Sequence, residues 1–186
     1  MGDCKQADYD KLEHAGRLIL EAIGEDLDRE ELKETPARFA RWWREFIDYH
    51  AGNTDTLFVS DGTDQMVVVS GMRVWSVCEH HLLPFWCDVA VAYIPNGTVM
   101  GLSKIARIAH KHAHKLQIQE GLVDGIAAEI AELTGVESVA VVAKGKHLCM
   151  LMRGIKTDGL MTSSSLKGAF REDPSARQEF FSHIKD

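Results

Sequence analysis

The chain has 186 residues, 45% apolar and 26% charged, which is room for one ordinary domain with a helical extension and too apolar for a disordered tail. Lys plus Arg is 21 against 28 Asp plus Glu, and the resulting −7 argues against a nucleic-acid coat or a binder of anionic membranes. No stretch approaches the ~18–20 apolar residues of a membrane span, and MGDCKQADYDKLEH lacks the apolar core of a signal peptide, so the expected compartment is the cytoplasm.

Residues 8–23 read as an amphipathic helix, with Leu12, Ala15, Leu18, Ile19, Ala22 and Ile23 on one stripe and Gly24 as its stop. Thr35-Pro36 reads as a cap followed by a first-turn proline, opening a helix to about Tyr49 that buries Trp42, Trp43, Phe46 and Ile47. The segment AGNTDTLFVSDGTD reads as a loop. From Gln65 the pattern changes to strands, in MVVVSGMRVWSV and in DVAVAYIP before the Asn96-Gly97 turn. Ser103 is the expected cap of a helix carrying Ile105, Ile108, Ala109, His112 and Leu116. A second helix follows, with Ile118, Leu122, Ile126, Ile130 and Leu133 on one face and Gly135 as its stop. Residues 136–143 and 148–155 look strand-like, and REDPSARQEFFSHI looks helical. The order predicts an α+β protein with an N-terminal helical extension over 1–64 and a second unit over 65–186.

Four cysteines, Cys4, Cys78, Cys87 and Cys149, are not a disulfide framework in a reducing compartment. In Cys78-Glu79-His80-His81 a thiolate and an imidazole three residues apart suit one metal ion. A second cluster, Lys146-His147-Leu148-Cys149, follows about seventy residues later at the expected start of a strand. Cys78, His81 and Cys149 would make an open site with His80 and His147 beside it as acid/base groups. Cys78, His81, His147 and Cys149 would make a closed structural one, and spacing does not decide between them. Isolated cysteines are otherwise mostly small buried hydrophobes, and Cys4 and Cys87, with no histidine-rich neighbourhood, read as non-ligands.

In Gly101-Leu102-Ser103-Lys104-Ile105-Ala106-Arg107, Lys104 and Arg107 lie one turn apart at a helix N-terminus, suited to an anion or simply a solvated basic face. Glu120 of Gln117-Ile118-Gln119-Glu120 either meets a ligand's paired N–H edge or is a plain first-turn glutamate. His110 and His114 read as a solvated helical face rather than a metal pair. His14, His50 and His183 read as surface positions.

The segments SVCEHHLLPF, VAYIP, GLSKIARI, QIQE and HLCMLMRG, in this order, with ETPARFA upstream and SSSLKGAFRED downstream, resemble the GTP cyclohydrolase I family over about residues 8–185. The resemblance implies the tunnelling fold, an antiparallel sheet with a helical pair on one face and N-terminal helices, residues 65–186 being the catalytic domain. Subunits would close into a toroidal barrel, a homodecamer with shared active sites, with no nucleic acid or membrane as partner. It implies hydrolysis of GTP to formate and 7,8-dihydroneopterin triphosphate, the first step toward pterins and tetrahydrofolate, through zinc-bound hydroxide attacking guanine C8. By motif, Cys78, His81 and Cys149 would hold Zn²⁺, and His80 and His147 would be the acid/base pair. Glu120 with Gln119 would hold the guanine edge, and Ser103, Lys104, Arg107, Arg153 and Arg38 the triphosphate.

The chain departs from the family pattern at Lys144 and Gly145, where an acidic residue and alanine are usual, at Cys87, where glycine is usual, and at Gly121, where a larger or basic residue is usual. Two alternatives to the leading reading are a related tunnelling-fold purine or pterin enzyme and a non-catalytic, zinc-stabilised oligomer that binds nucleotides.

Overall fold

The computed structural model describes residues 7–60, 62 and 64–185. Cys4 therefore lies outside the described residues, as do two positions of the expected 51–64 loop. The chain divides into two units, one within Met1–His50 and one within Ala51–Asp186.

The first unit is a helical pair. Helix α1 (Tyr9–Ala22) starts where the Asp8 carboxylate accepts from the Lys11 N–H. Helix α2 (Thr35–Ile47) carries Pro36 in its first turn. Its N-cap position is Glu34, not Thr35, and no side chain caps it. A Cβ at Gly16 would meet Phe39 and Pro36, so the missing side chain lets the helices approach closely. Trp43 and Phe46 are buried as expected, whereas Trp42 is 40% exposed because the buried stripe follows Pro36, Ala40, Trp43 and Phe46.

The second unit is built on a five-stranded sheet. Its elements in chain order are β1 (Leu57–Val59), β2 (Val67–Cys78), β3 (Pro84–Tyr93), β4 (Thr98–Met100), α3 (Leu102–Ala113), β5 (Leu116–Gln117), α4 (Gln119–Thr134), β6 (Val139–His147), α5 (Leu148–Leu151), β7 (Met161–Leu166), α6 (Ala169–Glu172) and α7 (Pro174–His183). The strand order is β5-β2-β3-β6-β7, antiparallel except for the short β2/β5 pair. The protein is thus α+β, as its element order predicts.

Alternation along β3 divides the core. Phe85, Cys87, Val89, Val91 and Tyr93 join Ile105, Ile108, Leu122, Ile126 and Ile130 of the α3/α4 pair in the main cluster. Ala90 and Ala92 join Phe170 and Phe180 of the C-terminal helices in a second. The register sets Phe85 against His147 and Cys87 against Gly145, which puts the chemistry at one end of the larger cluster.

Several local expectations are corrected. The 51–64 segment is not all loop, because Leu57–Val59 pairs with β4. Helix α3 starts after Gly101, with Ser103 inside its first turn, and ends at Ala113, so Leu116 is an exposed strand residue. Residues 148–155 are not a strand. Strand β6 runs on to His147, the chain turns into α5, and the Ser/Thr-rich β7 takes the neighbouring place. A short apolar run such as LCMLM carries no period that separates strand from helix. The second Cys/His cluster therefore stands at the end of a strand, not at its start.

Candidate metal and active centre

Cys78 ends β2 and stays in register with Gln117 of β5. The chain then doubles back. His81 and Leu82 N–H groups reach the Cys78 carbonyl at 3.4 and 2.9 Å, and Leu82 takes a left-handed φ of 55°. This turn is the local reason that the ring of residue 81 returns to the sulfur of residue 78, with Cys78 Sγ 3.8 Å from His81 Nδ1. The single turn of α5 brings in Cys149. The ligand atoms of Cys78, His81 and Cys149 all lie within 4.8 Å of one another, the one such group of three among the described residues. Burial, and then the nearby Cys78 sulfur, push the Cys149 thiol up, a state that a bound cation relieves by letting thiolates form.

His147 is not part of that group. Its Nε2 lies 2.9 Å from Gln119 Oε1, and its ring stacks on Phe85 with centroids 4.4 Å apart and planes 8° from parallel. Burial holds His147 below the ordinary histidine range against the opposing pull of Glu120, so the ring is neutral at physiological pH. His80 is exposed, with Nε2 3.7 Å from a Glu79 carboxylate oxygen. The geometry thus brings three candidate ligands together and leaves His147 outside that group.

Helix α4 starts beside this group, and its first two residues face opposite ways. Glu120 is exposed. Gln119 is fully buried, and its amide donates to Ala143 O, Met161 O and Ser163 Oγ. The Cys87 thiol lies 3.3 Å from the same Gln119 oxygen that His147 meets. Burial and then Asp88 push that thiol up to about 12, so it stays protonated.

The anion-binding candidates are placed less directly. Lys104 Nζ donates to Asn53 O at 3.0 Å and Arg107 Nη1 to Ala51 O at 2.6 Å, while Ser103 is exposed. Gly52, at φ 70°, leaves room for the Arg107 guanidinium. Arg153 follows α5 and its charge acts on Cys149. Arg38 is exposed in the first turn of α2. His110 and His114 sit one turn apart, 6.1 Å between ring centroids, and join no three-ligand group among the described residues.

Phe85 and Ser163 support the site although their types carry no chemical signature. The period-two alternation of β3 is the signal that sets Phe85 on the same face as Cys87.

A family model described as GTP cyclohydrolase I matches residues 12–185. A GTP cyclohydrolase 1 of Hyperthermus butylicus is 44% identical over 96% of this chain and 92% of its own. One from Alkalilimnicola ehrlichii is 45% identical over 95% and 98%, and a GTP cyclohydrolase 1 2 from Pseudomonas syringae pv. tomato is 46% identical over 94% and 99%. The archaeosine synthase QueF-Like in its apo form superposes distantly, with TM-score 0.43 and 19% identity over 54% of this chain and 92% of that one. With a family match over nearly its whole length and relatives above 40% identity, the chain belongs to the GTP cyclohydrolase I family.

Proposed function

We propose that this protein is a zinc-dependent enzyme that hydrolyses GTP to formate and 7,8-dihydroneopterin triphosphate, the entry to pterin and tetrahydrofolate synthesis. The observation that carries the reading is the Cys78/His81/Cys149 group, whose ligand atoms lie within 4.8 Å of one another, in a chain of this family.

The donor set fits zinc. Bonds of ~2.3 Å to sulfur and ~2.0 Å to nitrogen would put a sulfur and a nitrogen about 3.5 Å apart and two sulfurs about 3.8 Å apart in a tetrahedral shell. Cys78 Sγ and His81 Nδ1 lie 3.8 Å apart and all three ligand atoms within 4.8 Å, so small side-chain shifts would close on the ion. When bound, zinc with three protein ligands supplies a Lewis acid that makes water nucleophilic near neutral pH.

The chain's own residues account for the rest. Glu120 accepts from the N1–H and 2-amino group of guanine, orienting C8 toward the metal group. His147, neutral before reaction, takes up a proton and returns it to the imidazole ring of the base as that ring opens, and exposed His80 exchanges protons with solvent. Two hydrolytic steps consume two waters and release formate, and closure of the pterin ring returns one. Ser103, Lys104, Arg107, Arg153 and Arg38 supply hydroxyl and cationic donors to the triphosphate, which a protein of net charge −7 must bind through concentrated local positive charge.

Residues 65–186 form the catalytic domain, with 1–64 as the N-terminal extension, and the working form is a cytoplasmic toroidal homodecamer. Open sheet edges support assembly. Among the described residues, β7 pairs only with β6, and β5 covers only the Val77–Cys78 end of β2. Incubation of zinc-loaded protein with GTP, followed by formate assay and fluorescence detection of oxidised neopterin, tests the proposal.

A further inference from the structure

We infer that Gln119 is a positioning residue, whose buried amide, backed by the Cys87 thiol, holds His147 in the tautomer protonated on Nε2 and leaves Nδ1 as the ring's basic atom. The inference deepens the reaction proposed above and rests on His147 exchanging protons in it.

The orientation of the amide is decided by its surroundings. Gln119 Nε2 lies 2.9 Å from Ala143 O, 3.2 Å from Met161 O and 3.0 Å from Ser163 Oγ. Backbone carbonyls cannot donate, so the amide nitrogen must be the atom that faces them. Its oxygen then faces His147 Nε2 at 2.9 Å and Cys87 Sγ at 3.3 Å. An amide oxygen has two lone pairs and no proton, so both neighbours must donate. Cys87 can, because burial keeps it a thiol. His147 can only if Nε2 carries the hydrogen, and a neutral imidazole then presents Nδ1 as its acceptor.

Two further contacts lock this arrangement. The Phe85 face, 8° from parallel with the imidazole, fixes the ring plane. Gly145 lies across from Cys87, and a Cβ there would run into Gln119 Oε1, come within 2.6 Å of Cys87 Sγ and within 2.8 Å of Trp86 O. Gln119 is fully buried and its hydrogen-bonding capacity is used within the fold, so it serves the reaction through His147 rather than by touching guanine.

Long-range proton–nitrogen correlation spectra of ¹⁵N-histidine-labelled, zinc-loaded, full-length protein read the tautomer directly, at a pH where the ring is neutral. The His147 signals are identified by their loss in His147→Ala. The expected pattern is a protonated Nε2 and an unprotonated Nδ1, and the reverse pattern overturns the inference. In Gln119→Leu the two tautomers should mix, and kcat should fall on the order of 10- to 100-fold with KM for GTP and zinc content little changed. A rise in KM at unchanged kcat would instead put the amide on the substrate. Should Gln119→Leu not fold, Cys87→Ala keeps the question open to experiment. It should move the His147 Nε2 resonance and lower kcat a few-fold, Cys87→Ser should restore both, and no movement in either overturns the inference. The tautomer is read without GTP. A protein protonated on Nε2 that releases no formate therefore overturns the reaction alone, and one protonated on Nδ1 that does release formate overturns the positioning alone.

Discussion

Cys87 and Gly145 face each other across β3 and β6 and divide one side chain's volume between them, with sulfur on one strand and no Cβ on the other. The resemblance noted in the sequence implies the opposite division, glycine facing alanine. Gly145→Ala should therefore overpack the pocket around Gln119, lowering stability by about 1–3 kcal/mol and turnover with it. The Cys87→Gly, Gly145→Ala double variant should recover the stability, as coupled neighbours do and independent sites do not, while its turnover stays a few-fold below wild type without the Cys87 thiol. Thermal melts and formate release on the four proteins of the cycle check this.

The metal group and its histidine neighbours should separate cleanly by mutation. Cys78→Ser, His81→Ala and Cys149→Ala should lose bound zinc, and with it all turnover. His80→Ala and His147→Ala should keep about one zinc per chain and lose ~10²- to 10⁴-fold in kcat, the usual range for general acid–base groups. Metal analysis of each purified variant beside its rate distinguishes the two classes, and zinc loss from His147→Ala would return it to the coordination shell.

Glu120→Gln keeps the side chain's shape and removes the charge that meets the guanine edge. A charge-assisted hydrogen bond contributes ~1.5–3 kcal/mol, so KM for GTP should rise roughly 10- to 100-fold with zinc retained. Steady-state kinetics against GTP concentration measures it.

Between α3 and α4, His112 Nε2 lies 2.7 Å from Glu129, which also takes two hydrogen bonds from Lys111 at 2.8 and 2.9 Å. Burial holds His112 below its ordinary 6.5 despite the hydrogen bond to Glu129, and Lys115 and Lys111 push the same way as burial. For Glu129 burial works upward, but the hydrogen bonds from Lys111 and His112 outweigh it and keep the carboxyl below 4.5. The unfolded chain thus takes up protons first in both cases. The His112 contribution is whole above pH 6.5 and declines as the pH falls through the lower folded value, and the Glu129 contribution follows below 4.5. Melting temperature should fall on acidification from neutrality. His112→Gln should flatten the upper part of that decline without abolishing it, because half-buried His110 is depressed in the same sense.

Helices with strong periodicity were legible in the residues. Helix α1 was expected over 8–23 and spans Tyr9–Ala22, and Gly135 caps α4 in the left-handed conformation that glycine favours. Leu57–Val59 and Met161–Leu166 were not legible, because one is three residues long among turn formers and the other is mostly Ser and Thr, whose strand character comes from pairing with β6. Among the site residues, Cys78, His81 and Cys149 were visible by type and spacing, and the fold brings their ligand atoms together. Spacing left the status of His147 open. Burial of Gln119 fixes where that ring's proton goes, and burial is a tertiary fact. Cys87, read from the sequence only as a non-ligand, is buried, and its hydrogen bond to Gln119 appears only once β3 and α4 are packed together.

The proposed reaction opens GTP at a metal held by Cys78, His81 and Cys149. The most direct measurement is simultaneous quantification of formate, oxidised neopterin and zinc on wild-type protein and on Cys149→Ala. Wild type carrying about one zinc per chain should give equimolar formate and neopterin, and Cys149→Ala neither zinc nor product. Full turnover by metal-free protein, or zinc-replete wild type that leaves GTP intact, would contradict it.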